Sequence, residues 1–261
     1  MLTVAVVLAA GRGSRMRSDR AKVLHCIDEH TMLWHVLTQA HEANVEHIIV
    51  VVGHQADSVM DEARRWGRSH GREVQFSSQP QQLGTGHAVQ QAQQLLELLD
   101  AERVLVLSGD VPLLRSATLR RLLETYDEPP DDNLRCAMLT FEAANPRGMG
   151  RIVRNTKTGA VERIVEEKDC ANDAERNISE VNAGVYAFRW SALREALPHL
   201  KSNNAQNEFY LTDVVRMMTS DASGVEAVLL ESETSTEAMG VNTRQQLDEA
   251  RSTLQSRPKQ I

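Results

Sequence analysis

Val4-Ala5-Val6-Val7-Leu8 runs without a break into Ala9-Ala10-Gly11-Arg12-Gly13-Ser14-Arg15-Met16, and Lys22 follows six residues after Met16. An unbroken apolar run of this length reads as a strand buried on both faces, the kind a parallel sheet uses. The loop after it combines two glycines with the cations Arg12, Arg15 and Lys22. Glycine lets backbone N–H groups close in on an anion, and guanidinium and ammonium groups supply the countercharge, so the segment suits phosphate. Two familiar phosphate loops are excluded. A Walker A loop ends in Gly-Lys-Ser/Thr, whereas Gly13 is followed by Ser14-Arg15, and a dinucleotide fingerprint needs a third glycine where Met16 stands. A basic surface turn after a core strand is the simpler alternative.

The same rhythm repeats outward from this strand. Ile48–Val52, Val74–Ser77 and Val104–Leu107 read as further strands, and Met32–Asn44, Asp57–Trp66 and His87–Leu99 as helices between them. Apolar strands alternating with helices predict an α/β fold, a Rossmann-like, mostly parallel sheet with helices on both faces and right-handed crossovers. The pattern changes near Pro130: 136–188 is strand-rich, with a hairpin around Asn155–Gly159. Trp190–Leu200 and Tyr210–Ser220 read as helices, Val225–Leu230 as a strand and Thr243–Ser256 as a polar closing helix. The expected organisation is one domain over 1–257, in halves of about 1–130 and 131–257, followed by a frayed tail at 258–261. No internal repeat is present.

With 261 residues, 41% hydrophobic and 25% charged, the chain has the size and make-up of one large globular α/β domain. A net charge of −7 argues against nucleic acid or an anionic membrane as partner. The cationic cluster of the first loop stands out against that background and fits a small anion. Cys26, Cys136 and Cys170 form no CxxC pair, support neither a disulfide framework nor a cysteine zinc site, and suit a reducing cytoplasm. No basic leader or bilayer-length apolar stretch is present, so no membrane partner is expected. His25, His30 and His35 fall at five-residue intervals, which does not align them on one helix face, and the nine histidines read as structural or surface.

Open α/β sheets hold ligands beyond the carboxyl ends of their strands. The Gly11 loop, Gln79–Thr85 and Ser108-Gly109-Asp110 all fall there. Asp110 can ligate a hard divalent ion, since magnesium takes carboxylate and carbonyl oxygens together with phosphate and water. It can equally close the turn before Pro112 or cap a helix near Ser116. In Gln79-Pro80-Gln81-Gln82-Leu83-Gly84-Thr85-Gly86-His87 the amides suit a nucleobase edge, and the glycines also suit a helix start. Gly148-Met149-Gly150-Arg151, Glu166 in Ile164–Asp169 and Asn182 in Val181–Gly184 offer a third glycine loop and groups for sugar hydroxyls, or ordinary turns. Asn207–Asp213 and Gly240–Arg244 put polar residues at helix starts, where capping, by Asn242 in the second, is the rival reading.

Taken in order, LAAGRGSRM with Lys22-Val23-Leu24-His25, then QLGTGHA, SGDVP, GMGRIV, IVEEKD, VNAG, NEFYLTD and GVNTR resemble the uridyltransferase domain of the bacterial N-acetylglucosamine-1-phosphate uridyltransferase family, from about Leu2 to Leu247. The first motif is shared with wider sugar nucleotidyltransferases; QLGTGHA, NEFYLTD and GVNTR are more specific. The resemblance implies a nucleotide-diphospho-sugar transferase fold whose second half forms a smaller, strand-rich sugar-binding lobe. It implies a cytoplasmic, magnesium-dependent enzyme of cell-wall precursor synthesis. UTP and N-acetylglucosamine 1-phosphate would give UDP-N-acetylglucosamine and pyrophosphate. It assigns Leu8, Ala9, Ala10, Gly11, Gly13, Gln82, Ser108 and Gly109 to nucleotide binding, with Gln79, Gly84 and Thr85 at the uracil. Arg15 and Lys22 would be the catalytic cations on the triphosphate, and Asp110 and Asn242 the magnesium ligands. Gly150, Glu166 and Asn182 would recognise the sugar, with Tyr210 and Thr212 near its phosphate.

Two departures carry expectations. Ser108 stands where the family usually has tyrosine, which removes an aromatic wall and leaves the carboxylate of Asp110 in place. The family's second domain, an acetyltransferase built as a left-handed β-helix through which it trimerises, has no counterpart in these residues. Acetyl transfer is therefore not expected, and a monomer or weak dimer is. The rivals are a related nucleotidyltransferase using another sugar phosphate or dTTP, and a non-catalytic sugar-nucleotide-binding regulator. Arg15, Lys22, Asp110 and Asn242 together argue against the regulator, because a pure binder needs no metal pair.

Overall fold

The computed structural model describes residues 1–16, 18–127, 133–219, 224–232 and 234–257. The expected division near Pro130, the end of the helix at Ser220 and the tail at 258–261 lie outside the described residues. The strands are β1 (Thr3–Ala9), β2 (His47–Val52), β3 (Val74–Ser78), β4 (Arg103–Ser108), β5 (Cys136–Glu142), β6 (Arg151–Arg154), β7 (Val161–Val165), β8 (Glu180–Arg189) and β9 (Val225–Leu230). The helices are α1 (Met32–Glu42), α2 (Ala56–His70), α3 (Thr85–Gln91), α4 (Gln93–Leu98), α5 (Ser116–Glu124), α6 (Asp173–Arg176), α7 (Trp190–Ala196), α8 (Thr212–Met218) and α9 (Arg244–Ser256). Among these no helix is long and apolar enough to cross a membrane.

The main sheet runs β3-β2-β1-β4-β8-β5-β9. β3, β2, β1 and β4 are parallel, β8 lies antiparallel between β4 and β5, and β9 is parallel to β5. The chain leaves β1 towards β2 on one side and returns through β4 on the other, so strand order reverses between β1 and β4. Such a reversal opens a crevice at the carboxyl edge of the sheet. β6 and β7 form the hairpin, turning through Asn155–Gly159 and joining β8 through Arg151 opposite Val181.

Alternate residues of β1 feed two cores. Ala5, Val7 and Ala9 face α1, α2 and α5 through Leu33, Leu37, Trp66 and Leu122, all buried. Val4 and Val6 face α3, α7 and α8 through Val89, Leu193 and Val214. Strands covered on both faces keep their apolar runs continuous, which is why these were readable. A third cluster ties α9 to the site loops: Val241, Leu247 and Ala250 pack on Met16, Ile27, Met32 and Leu113.

Element ends differ from the sequence reading for local reasons. α2 continues past Trp66 to His70, where Gly71 in the left-handed region stops it. The stretch expected as one helix from His87 is two, α3 and α4, with Ala92 between them. α8 begins at Thr212 rather than Tyr210 because the preceding residues pair elsewhere: Phe209 N–H donates to Leu83 O and Gly86 N–H to Phe209 O, each at 2.8 Å. In β8, Tyr186 faces Met138 and Asn182 faces Thr140, so four residue steps match two on β5. Gly184, with φ +70°, absorbs this bulge. A bulge bends a strand and re-aims its side chains. Here it carries Asn182 away from β4 towards the β6–β7 hairpin.

Candidate active site

The loops beyond β1, β3 and β4 meet in a cleft of about 220 Å³ lined by Leu8, Ala10, Gly11, Lys22, Gln79, Gln82, Gly84, Thr85, Ser108 and Asp110. Ala9 and Gly109 lie beneath it. Ala9 is buried, and Gly109 packs so closely that a Cβ there would stand 2.9 Å from Val23 and 3.0 Å from the Leu8 carbonyl. Gly13 has φ +67° and no room for a side chain against the Cβ of Lys22, so the glycine shapes the loop around that lysine.

Asp110 is the electrostatic centre. It is 7% exposed, and its carboxylate accepts hydrogen bonds from Lys22 Nζ and Ser108 Oγ. Burial alone would push its pKa up; the Lys22 charge and those two hydrogen bonds outweigh it, and the carboxyl is held below the usual range. Asn242 Oδ1 accepts from Lys22 Nζ at 3.1 Å and from Arg15 Nη2 at 2.8 Å. Asn242 is not the cap of α9. Thr243 takes that role in a capping box with Gln246, which leaves the Asn242 side chain for the site. Asp110 does not cap α5 either, because Arg115 holds that position. Val241 N–H donates to Asp110 O at 2.8 Å and locks the two loops together.

A carboxylate oxygen and an amide oxygen therefore converge on one cation, the Lys22 ammonium. That donor pair fits magnesium, which is held by one or two protein oxygens and completes its shell with phosphate and water. Among the described residues no group of three or more His, Cys, Asp or Glu side chains is placed to hold a metal.

One end of the cleft is built by the QLGTGHA segment. Gln79 is 3% exposed, and its Nε2 lies 3.0 Å from Gly84 O and 3.0 Å from His87 Nδ1. Gly84, with φ +108°, caps α3, and a Cβ there would stand 2.6 Å from Phe209 O. The Thr85 hydroxyl accepts from Leu211 N–H at 3.1 Å. Within NEFYLTD, Leu211 holds the N-cap position of α8 without a side-chain capping bond, and the residues before it strap the glycine loop. Glu208 reaches the same cleft, and Tyr210 and Thr212 line a second hollow of about 420 Å³.

Glu166 also lines that second hollow, and Gly150 and Asn182 abut it: a Cβ on Gly150 would stand 3.4 Å from Glu166 Oε1 and 3.6 Å from Asn182 Cβ. Thr212 Oγ1 donates to Glu166 Oε1 at 3.1 Å. Burial raises the Glu166 pKa, the Thr212 bond opposes it, and Asp169 and Asp213 add to the rise. Burial pushes the Tyr210 pKa up to about 12. Arg151, 1% exposed, ties Met149 O, Glu167 and Arg176 O around the third glycine loop.

Two contributors were missed from sequence, and one has a further part. Ser108, expected in the nucleotide-binding set, also donates to Asp110. Gln55 accepts from Ala21 N–H at 2.7 Å and donates to Asp19 O at 2.6 Å, which clasps the loop that delivers Lys22. His87 bonds Gln79. Gln55 follows the carboxyl end of β2, the same edge as the other loops, and that position was the available signal.

A family model described as a MobA-like NTP transferase domain matches residues 5–148, which include the loops after β1 through β4. The chain belongs to that family. This NTP transferase domain is 44% identical over 253 residues to a protein of Limosilactobacillus fermentum, covering 97% of this chain and 52% of the relative. It is 43% identical over 242 residues to one of Francisella tularensis subsp. novicida, covering 93% of this chain and 49% of the relative. Both relatives are described as a bifunctional protein GlmU. The chain spans about half the length of these relatives.

Proposed function

We propose that this protein transfers the uridylyl group of UTP to N-acetylglucosamine 1-phosphate, giving UDP-N-acetylglucosamine and pyrophosphate, as a step of cell-wall precursor synthesis in the cytoplasm. The observation that carries the reading is the convergence of Arg15, Lys22, Asp110 and Asn242 at a cleft that also presents the Gln79 amide. The likeness to GlmU relatives over almost the whole chain supports it.

A phosphate oxygen of the sugar phosphate attacks the α-phosphorus of UTP in line, and the bond to the leaving pyrophosphate breaks. The attacking oxygen is already ionised at neutral pH, so no general base is needed. Arg15 and Lys22 hold the triphosphate and balance the charge that moves to the leaving group. Fixed cations of this sort act by positioning and by stabilising charge that develops in the transition state. Asp110 and Asn242 would hold magnesium, which when bound supplies a charge clamp on the phosphate oxygens. Gly150, Glu166 and Asn182 would hold the sugar, with Tyr210 and Thr212 towards its phosphate.

The test is pyrophosphate release with UTP and N-acetylglucosamine 1-phosphate, with and without magnesium, run beside dTTP and other sugar phosphates. Release restricted to this pair is expected. Arg15→Ala and Lys22→Ala should lower kcat by roughly 10²–10³, in line with the loss of one charge-stabilising donor. Binding of UDP-N-acetylglucosamine without any release would instead identify a non-catalytic binder. Unchanged magnesium dependence in Asp110→Asn would remove the metal assignment.

A further inference from the structure

We infer that His87 sets the base preference of the nucleotide cleft by holding the Gln79 amide with its oxygen, not its nitrogen, available to a bound base. The cleft would then take an imide base, with an N–H between two carbonyls as in uracil, and disfavour one with a bare ring nitrogen there, as in cytosine. The inference rests on the nucleotide-binding reading above and goes beyond it by naming the residue that turns the key amide.

The argument starts from Gly84. Its carbonyl can only accept, and Gln79 Nε2 lies 3.0 Å from it, so the side facing Gly84 is the nitrogen. The second amide hydrogen points to His87 Nδ1, also at 3.0 Å. His87 Nδ1 must therefore accept, which assigns the ring proton to Nε2. Nε2 in turn lies 3.1 Å from Gln91 Nε2, an atom also 3.4 Å from His87 O. That carbonyl contact is longer than the 3.0 Å bond that fixes Gln79 on Gly84, so Gln91 is the amide that turns over, and its oxygen takes the ring proton. With both hydrogens of Gln79 committed, its oxygen is the group left for a ligand in the cleft that Gln79 lines. Turning the amide over would set an oxygen against the Gly84 carbonyl, two acceptors facing each other.

The ring is itself held. Phe209 lies 6.3 Å away, centroid to centroid, and Gly86 N–H donates to Phe209 O at 2.8 Å. Gly84 satisfies only one of the two Gln79 hydrogens. Without His87 the other loses its buried partner, and Gln79 gains by swinging into the cleft. His87 is thus a positioning residue: it touches no ligand and acts through Gln79.

The experiment is calorimetric binding of UTP and CTP without acceptor sugar, on the wild type, His87→Ala and His87→Asn. A mismatched buried polar group is worth about 1–3 kcal/mol, so the wild type is expected to prefer UTP by roughly five- to 150-fold. His87→Ala should lose about tenfold of that preference by the same reasoning. His87→Asn, whose Oδ1 can stand where Nδ1 stood and still accept, should keep it. An unchanged preference in His87→Ala overturns the inference, as does equal binding of UTP and CTP by the wild type, which leaves nucleotidyl transfer itself intact. A wild type that binds neither nucleotide overturns the nucleotide reading and this inference with it. If His87→Ala does not fold, His87→Asn decides: retained preference supports the assignment, and lost preference overturns it.

Discussion

Replacing Lys22 by methionine removes a charge and keeps most of the side chain's length, so it isolates what the ammonium does for Asp110. The two side chains are 18% and 10% exposed. Removing one partner of a buried ion pair costs about 3–5 kcal/mol. Lys22 is partly open to water and Ser108 still bonds the carboxylate, which favours the low end, about 3 kcal/mol. For a chain of this size that lowers Tm by roughly 6–12 °C. The loss should depend on pH. In the wild type, burial raises the Asp110 pKa, but Lys22 and Ser108 bring it below the ordinary value. Such a carboxyl adds stability above its unfolded pKa and loses it as pH falls through the folded one. In Lys22→Met burial prevails, the carboxyl takes up a proton on folding, and its contribution is present in acid and lost as pH rises. The Tm deficit measured by circular dichroism in chelator should therefore be large at neutral pH and shrink towards about pH 4, where an exposed aspartate titrates. An equal deficit at both pH values, or none at neutral pH, would refute the reasoning.

Gly84→Ala places a Cβ against the Phe209 backbone at a φ of +108°, and should lower stability by more than about 2 kcal/mol and abolish nucleotide binding, both readable by thermal shift with and without UTP. Glu166→Gln should raise Tm near pH 8 and leave it unchanged near pH 4, because a buried carboxyl with a raised pKa weakens the fold once it ionises. The same change should raise KM for the sugar phosphate, since the position serves binding. Leu247→Ala should cost about 2–4 kcal/mol. It should weaken UTP binding more than Leu193→Ala on α7 does, because Leu247 packs on Met16 and Leu113 beside the site while Leu193 lies in another core.

What was legible in the sequence depended on whether a residue's partner was near in the chain. The strands at Val4, Ile48 and Val104 were readable because burial on both faces leaves only apolar residues. The hairpin at Asn155–Gly159 was readable because its turn is local. The insertion of β8 between β4 and β5 was not, since an alternating pattern names a strand and not its neighbours. The start of α8 was misread for a related reason: Phe209 satisfies its backbone on Leu83 and Gly86, more than a hundred residues earlier. In the site, Asp110 had turn closure or capping as its rival reading, and Asn242 had capping. Arg115 and Thr243 hold the cap positions, which removes capping for both, while the turn from Ser108 to Val111 does run through Asp110. Gln55 bonds Ala21 and Asp19, more than thirty residues earlier, which no local pattern reveals.

The bond from Arg15 to Asn242 joins residues 227 positions apart, and α9, which follows Asn242, is fastened by Arg244 to Met16 O and by Arg257 to Leu113 O. During synthesis, the glycine loop leaves the ribosome more than two hundred residues before its counterpart at Asn242. β1 to β4 and the Asp110 loop can pair well before that, so a nascent chain can hold a formed half-sheet with Lys22 on Asp110 and Arg15 still without its Asn242 bond. Translation of α9 is then the event that closes the cluster. Nucleotide present during synthesis should protect only chains that have passed this point, which makes ligand-dependent protease resistance of stalled chains a direct clock for the assembly of the site.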